Sequence, residues 1–503
     1  MTIYKTFQEA KNGTKIPLFL SGRSMESRYN PERDAENLCS SIEEAFSFFL
    51  VLGIGSGLFI KQLSEKFPAA KIIGLELSKD DLDFLYQSEI LQALSKNPLI
   101  KFTDLSNLEE TLIQNYLPAR YGDLKIIEQK AWVNENQNQI EKINTILKRS
   151  LGIISADYSV QAHFGKIWTC NILNNCKLAE STALYSLKKI QSQAQNKTAV
   201  IVAAGPSLDK TISIINNAES RNDYYIFSTD TAAQALIKHG IIPEVIVSID
   251  GQAVSYNHFI NLQKLNHKLS AKPPLFAFDL SANSSAVRYI INSTCDVSFF
   301  CSGHPLSTAI NASNSYAFCE VFSGAGTVTI SALDLAIKSG FKKLIILGAD
   351  FSYSNGKAYA CGTYLDTLYN KNSSKLIKAE QTFTRLMFRT ELKSLSDTVK
   401  TTDILQAYRS SLEKYLSDKK IDYKKENDIY KLECRDNIRT KLSESKTFSL
   451  KPFFERLKNS SQEEKECILL PYIAWLRNNL RYKKASYNEL VNLALESIVS
   501  YNI

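Results

Sequence analysis

Apolar residues in the middle of this chain come in short unbroken runs rather than in alternation with polar ones. Ala199–Ala203, Tyr224–Ser228, Val245–Ile249, Leu275–Phe278, Val297–Cys301 and Leu344–Leu347 are such runs, rich in Val, Ile, Leu and Phe. Their length and composition predict strands buried on both faces, and hence a largely parallel sheet covered by helices. Between them lie stretches with helical spacing, such as Ser331–Lys338, whose apolar residues recur at three and four. The runs end in AAGPS, STDTA, SIDGQ, DLSAN, CSGHP and GADFSY, and SGAGTVT opens a helix. Parallel sheets of this kind bind ligands beyond the carboxyl ends of their strands, so the small residues, hydroxyls and lone acids at these ends are the candidates for chemistry. In the first of them Gly205 lets the backbone approach a ligand, and Pro206 presets a helix start. Ser207 sets a hydroxyl beside helix N–H groups that favour anions.

The same patterning appears earlier. Phe48–Leu52 is an apolar run followed by Gly53-Ile54-Gly55-Ser56-Gly57, a helical stretch, a second run Lys71–Leu75 and then Glu76. This is a βαβ unit with a glycine-rich first turn and an acid after the second strand, as in dinucleotide- and S-adenosylmethionine-binding sheets. A functional reading puts an adenosine ribose on Glu76. The favoured reading is a scaffold whose glycines serve close strand–helix packing, because no carboxylate stands just before Gly53. Beyond residue 376 the pattern turns helical, with amphipathic spacing over Asp403–Leu416 and Ile468–Leu480. The fold class expected is α/β. A Rossmann-like central domain with a parallel sheet (151–375) is preceded by a smaller Rossmann-like α/β domain (1–150) and followed by a helical domain (376–503).

Composition narrows the function classes. The chain has 503 residues, a formal net charge of +8, and Lys and Arg mixed with Asp and Glu throughout. That supports mild attraction to an anionic ligand, and no nucleic-acid partner. Nine scattered cysteines form no metal or disulfide spacing and read as reduced thiols of a cytoplasmic protein. The start has no apolar signal core, and the longest apolar stretch, Ala45–Ile60, is too short for a membrane span. There is no Walker A and no GxSxG. The one Asp-x-Asp, Asp81-Leu82-Asp83, reads as a solvated helix face, so no metal site is expected. Of five isolated histidines, His258 and His304 follow strand ends that face the expected cleft.

Several linked motifs resemble one family. Ala204–Asp209, Pro243-Glu244-Val245 leading to Ser248-Ile249-Asp250, Gly348–Tyr353, and Ser-x-Tyr-x-Pro-x-x-Asp-Ala at Ser27–Ala35 resemble the motility accessory factors, also described as DUF115 or MptE-like. The resemblance implies a glycosyltransferase that moves a nonulosonic acid, of the pseudaminic or legionaminic type, from a CMP-activated donor to Ser or Thr of flagellin. It also implies a central domain similar to bacterial CMP-sialic acid sialyltransferases. Their nucleotide-binding turn matches Ala203–Ser207, with Ala204 where they carry an asparagine. Asp230 stands at a second asparagine, Ser323-Gly324 at a nucleotide-holding turn, and Asp350, Tyr353, Asn355-Gly356 and Tyr359 at a motif whose tyrosines bind the donor phosphate. Thr402-Asp403-Ile404 resembles a helix start preceded by their catalytic histidine, but Thr398 occupies that place here. The donor site implied is Gly205, Pro206, Ser207, Thr229, Ser323, Gly324, Gly326, Thr327, Asp350, Tyr353 and Tyr359, with no cofactor required. Flagellin and the CMP-sugar are the partners, and a second copy of the chain is a further candidate. The alternatives are an MptE-like 6-hydroxymethylpterin pyrophosphokinase, needing ATP and a divalent metal, and a non-catalytic flagellin chaperone or export factor.

Such a transfer needs charge stabilised on the departing phosphate and a proton taken from a hydroxyl. Phenol hydroxyls, the amides of Gly205–Ser207 and the helix start near Gly326-Thr327 suit the first task. A positioned carboxylate or imidazole suits the second, and the candidate bases are Asp250, Asp230 and His258, in that order. Asp250 leads because it ends a strand and Gly251 beside it leaves room for an acceptor. For Asp350, capping of its turn and ligand contact are about equally expected.

Overall fold

The computed structural model describes residues 2–43, 45–182, 188–194, 196–216, 221–264, 273–293, 295–324, 326–426, 428–434, 448–482 and 485–502. The chain forms two compact units, Met1–Gly165 with Leu470–Leu495, and Lys166–Leu469 with Glu496–Ile503. The helix Gln137–Ser181 passes from one to the other.

In the first unit β1 (Tyr4–Glu9) and β2 (Lys15–Phe19) make an antiparallel hairpin. Strands β3 (Phe48–Leu52), β4 (Lys71–Glu76), β5 (Ile100–Asp104) and β6 (Leu124–Glu128) form a parallel sheet in the order β5-β4-β3-β6. The apolar run at β3 is buried along its whole length, as a central strand with helices on both faces requires. Asp81 does not belong to a solvated acidic face. It is buried, with Oδ1 accepting from Thr2 Oγ1 and Ile3 N at 2.8 and 2.7 Å and Oδ2 from Ser78 Oγ, whereas Asp83 is exposed. Its charge anchors the start of the chain, which no local spacing could reveal.

The second unit contains all six predicted central strands, each within a residue or two of its expected ends. They are β7 (Thr198–Val202), β8 (Tyr224–Thr229), β9 (Val245–Ser248), β10 (Leu275–Asp279), β11 (Val297–Cys301) and, after the short β12 (Cys319–Glu320), β13 (Lys343–Leu347). A small three-stranded sheet, β14 (Tyr353–Ser354), β15 (Lys393–Ser394) and β16 (Val399–Thr401), follows β13. A hairpin of β17 (Asp422–Glu426) and β18 (Ile429–Glu433) then completes a nine-stranded sheet in the order β12-β11-β10-β9-β8-β7-β13-β18-β17. Pairing is parallel from β12 to β13, and antiparallel where β18 meets β13 and β17. Successive strands step outward from β7 to β12, and the chain then returns to the other side of β7 as β13. That reversal opens a crevice at the carboxyl ends of β7 and β13.

The stretch from 376 onward does not stand apart as one helical domain. Helix Asp403–Asp418 contributes Leu412, Tyr415 and Leu416 to the central core beside Ile201, Phe227 and Leu333. The hairpin β17–β18 extends the central sheet, and Leu470–Leu495 belongs to the first unit. Helices do dominate beyond 448, at Lys451–Asn459, Gln462–Asn478 and Tyr487–Val499. The hairpin escaped the sequence pattern because β17 is an edge strand with almost no buried face, so its residues read as a charge run. Among the described residues no helix is long and apolar enough to cross a membrane.

Candidate functional site

The glycine turn of the first unit is closed by its own chain. Glu76, wholly buried, accepts from Ile54 N at 2.7 Å and Tyr4 Oη at 3.0 Å through Oε1, and from Trp132 Nε1 at 2.8 Å through Oε2. Glu26 reaches the same turn, where its Oε1 accepts from Ser56 N at 2.8 Å and Ser56 Oγ at 2.6 Å. A Cβ on Gly55, whose φ is +61°, would lie 2.7 Å from that oxygen. Burial pushes both carboxyls up to about 7, against the pull of these donors. The amides that would meet a nucleotide face two carboxylates, and both oxygens of Glu76 are engaged by the chain's own donors.

In the second unit the crevice between β7 and β13 is occupied by Asp350. Its Oδ2 accepts from Ser207 N at 2.8 Å, and Gly205 N donates to Gly348 O at 2.8 Å. Pro206 has no N–H, so the amides of Gly205–Ser207 are engaged within the protein and do not face a phosphate, contrary to expectation. The absent side chain of Gly205 also serves a different approach. A Cβ there would lie 2.3 Å from Asp350 Oδ2 and 2.5 Å from Gly348 O, so glycine lets two loops cross. Ser207 Oγ, the turn's remaining polar group, is buried beside the Asp350 carboxyl. Burial raises the Asp350 carboxyl, opposed first by the Ser207 hydroxyl and then by the Ser207 amide. Phe351, next along, sits at φ 50°, an uncommon conformation for an aromatic residue, with its carbonyl held by Thr401 Oγ1 at 3.0 Å.

The loop beyond carries the tyrosines. Tyr353 pairs with Lys400 across β14 and β16, and Ala360 N bonds Ala204 O at 2.9 Å, which brings Tyr359 back to the β7 turn. Burial raises the Tyr353 phenol, and it pushes Tyr359 up to about 12, helped by Tyr353, Tyr369, Tyr408 and Asp230. Both phenols are therefore protonated donors near neutral pH.

At the end of β8, Thr229 is buried and its Oγ1 caps helix Asp230–Lys238 by accepting from Ala232 N. Asp230 is buried too. Its Oδ1 accepts from Thr231 N and Oγ1, and its Oδ2 from Ser248 Oγ at 2.5 Å, so it ties β8 to β9. Asp250 is more open: Gln252 N donates to Oδ1 at 2.8 Å. Burial raises its carboxyl, the Gln252 amide and His258 pull it down, and Asp230 adds to the rise. Tyr408 lies within electrostatic reach of Asp250, and burial raises its phenol first of all. His258 Nδ1 is buried without a hydrogen bond, its ring edge-on to Tyr364 at 5.8 Å. Asp230, Asp250, His258, Tyr359 and Tyr408 thus form one group above β8 and β9. Gly251, however, opens no space for an acceptor, since a Cβ there would meet Ser281 O at 2.9 Å and Asn171 Nδ2 and Trp168 Cδ1 at 3.2 Å.

The remaining candidates stand elsewhere. Gly326 N and Thr327 N both donate to Ser323 O before helix Val328–Lys338, and Gly324 packs against Ser411. Among the described residues no hydrogen bond links this turn to Asp250 or the tyrosines. His304 caps helix Pro305–Ser313 through Nδ1, and burial lowers its pKa to about 4, so it is a neutral structural residue. Thr398 is exposed, its carbonyl accepting from Asn355 N. No three His, Cys, Asp or Glu side chains gather as metal ligands would among the described residues. Sequence reading missed Tyr408 and Arg409, whose helix read as an ordinary amphipathic one. Arg409 Nη2 donates to Asp350 O at 2.8 Å, and its Nε is buried without a partner.

Residues 170–356 match the family model described as 6-hydroxymethylpterin diphosphokinase MptE-like. An uncharacterized protein of Treponema pallidum (strain Nichols) is 34% identical over 152 residues, which is 30% of this chain and 70% of that protein. A second uncharacterized protein of the same organism is 35% identical over 132 residues, 26% of this chain and 46% of its own length. Along its whole length the chain also aligns with the structure of a Maf glycosyltransferase from Magnetospirillum magneticum AMB-1. That match covers 92% of the other chain at 12% identity with a TM-score of 0.45, a likeness too loose to bear on chemistry.

Proposed function

The chain belongs to the MptE-like family, and from that premise we propose that it is a glycosyltransferase. It transfers a nonulosonic acid from a CMP-activated donor to a Ser or Thr hydroxyl of flagellin. The observation that carries this reading is the group above β8 and β9, where a partly open carboxylate, Asp250, shares its surroundings with an imidazole and protonated phenols. The linked sequence motifs supply the donor and acceptor classes.

In the reaction the bond between the sugar's anomeric carbon and the donor phosphate breaks, and its electron pair leaves with CMP. The acceptor oxygen bonds to that carbon, and its proton passes to Asp250. A carboxyl raised above its ordinary range binds that proton more readily, and positioned proton transfer contributes about 10²- to 10⁴-fold. Tyr353, Tyr359 and Ser207 Oγ donate hydrogen bonds to the leaving phosphate. Thr327 and the helix start behind it hold another part of the nucleotide. Asp350 serves to hold the β7 turn in place, with its carbonyl orienting Arg409.

Incubating the protein with flagellin and CMP-nonulosonate should raise the flagellin mass by one sugar residue and release CMP. Unmodified flagellin, together with pyrophosphoryl transfer from ATP to 6-hydroxymethylpterin in a parallel reaction, would overturn the proposal in favour of the kinase. Flagellin bound but unchanged under both conditions would point to the chaperone.

A further inference from the structure

The helix Gln137–Ser181 carries two buried asparagines one turn apart, each of which reaches over the strand ends. Asn171 Nδ2 donates to Gly251 O at 3.0 Å and to Ser281 O at 3.1 Å, and its Oδ1 accepts from Ser284 N at 3.2 Å. Asn175 Nδ2 donates to Leu280 O at 2.9 Å and Ala282 O at 2.8 Å. The two differ in what they join. Asn175 holds only the loop after β10, whereas Asn171 ties that loop to the Asp250-Gly251 segment after β9.

Asp250 itself is held from the same side. Its carbonyl accepts from Asn283 N at 3.0 Å and Ser255 Oγ at 3.2 Å, and Ser284, next to Asn283, is the residue whose amide Asn171 receives. Trp168, one turn before Asn171, packs against Gly251. The carbonyls of Asp250 and Gly251 are thus both held, and a carboxylate with few torsions of its own points where that peptide aims it.

We propose that Asn171 is a positioning residue for the transfer step, fixing the direction of the Asp250 carboxylate by bracing Gly251 against the loop after β10. This rests on the reading of Asp250 as the base. A misplacement of about 1 Å in such a group costs on the order of 10²-fold in rate.

The test uses the full chain with Asn171→Ala, Asn175→Ala and Asp250→Asn. Two quantities are read: kcat and donor KM across pH, and the Asp250 carboxyl titration by NMR with labelled aspartate. Asn171→Ala should lower kcat about 10- to 100-fold with donor KM within a few-fold. It should also move the Asp250 titration and the acid limb of kcat down toward the ordinary carboxylate range, as the freed carboxylate gains water. Asn175→Ala, which also strips two carbonyls, should move neither pH readout. Equal effects of the two alanines on kcat, with the titration unmoved, would reduce Asn171 to a structural residue and overturn the inference. If Asn171→Ala does not fold, Asn171→Ser makes the same comparison with less volume lost. Full-rate transfer by Asp250→Asn would overturn the base assignment separately, and with it the catalytic meaning of the brace, even where the titration responds to Asn171.

Discussion

Each unit has a glycine turn after the central strand of its parallel sheet, and in each the chain's own carboxylates meet the turn amides. In the first unit Glu76 takes three donors from Ile54, Tyr4 and Trp132, and Glu26 takes both donors of Ser56. In the second, Asp350 takes the single amide of Ser207 with the Ser207 hydroxyl beside it, and Asp250, His258 and two phenols cluster over the next strand ends. The comparison teaches that a glycine-rich turn reports close backbone approach and not what approaches. The first turn is not fully satisfied, since Glu26 Oε2 is buried without a hydrogen bond, so the two units differ in the cluster around Asp250 and not in the closure of the turns themselves.

The sharpest break of this contrast is at Asp250. Asp250→Asn keeps the shape and removes the base, so flagellin modification should fall 10²- to 10⁴-fold while CMP affinity, read by calorimetry, stays within a few-fold. Full-rate transfer by this variant alongside an inactive His258→Ala would move the base to the imidazole.

Next in size is the first unit's turn. Glu76→Ala leaves three buried donors without an acceptor and should destabilise the fold by about 3–5 kcal/mol, measured by urea unfolding. The counterpart Asp350→Ala strips one amide and should cost about 1–2 kcal/mol. Equal losses would mean the two turns are closed to the same degree.

The first unit should also lose stability as pH rises. Glu76 and Glu26 have folded-state pKa values of about 7 against an ordinary 4.5, so the folded form binds more protons between those limits. Stability is then fullest below about 4.5 and declines until pH passes about 7, by roughly 3 kcal/mol for Glu76. Denaturation midpoints at pH 5 and 7.5 should show this slope in the native chain and a flatter one in Glu26→Gln/Glu76→Gln. An unchanged slope in the double variant would assign it to other groups.

A smaller effect is expected at the phenols. Tyr353→Phe with Tyr359→Phe should weaken CMP binding about 10- to 100-fold, and unchanged calorimetry would refute their contact with the phosphate. The smallest expected signal is none at all: the first unit's turn should bring no saturable binding of S-adenosylmethionine or NAD to the full chain.

The sheets were legible because continuous Val, Ile, Leu and Phe runs have few other uses, and the helix at Ser331–Lys338 follows from its spacing alone, within the longer Val328–Lys338. Candidate residues at β8 and β9 were legible as lone acids on strand ends, but which of them is free was not. Asp230 is consumed by Ser248 and Thr231, and Thr229 by its helix cap, through neighbours that every strand end has. Arg409 and Asn171 gave no signal, since an arginine or asparagine on an amphipathic helix reads as solvated until the helix is laid over the sheet.

What this sequence determines by itself is local: which runs are strands, where turns need glycine, and which strand ends carry acids and hydroxyls. These follow from torsional preference and burial, which act over a few residues. Which groups occupy those turns was decided only by tertiary structure. Ser207 meets Asp350 across 143 residues, Ile54 meets Glu76 across 22, and Gly251 meets Asn171 across 80. A buried amide must find an acceptor, but nothing in the residues beside it says whether that acceptor is a ligand or a distant part of the same chain.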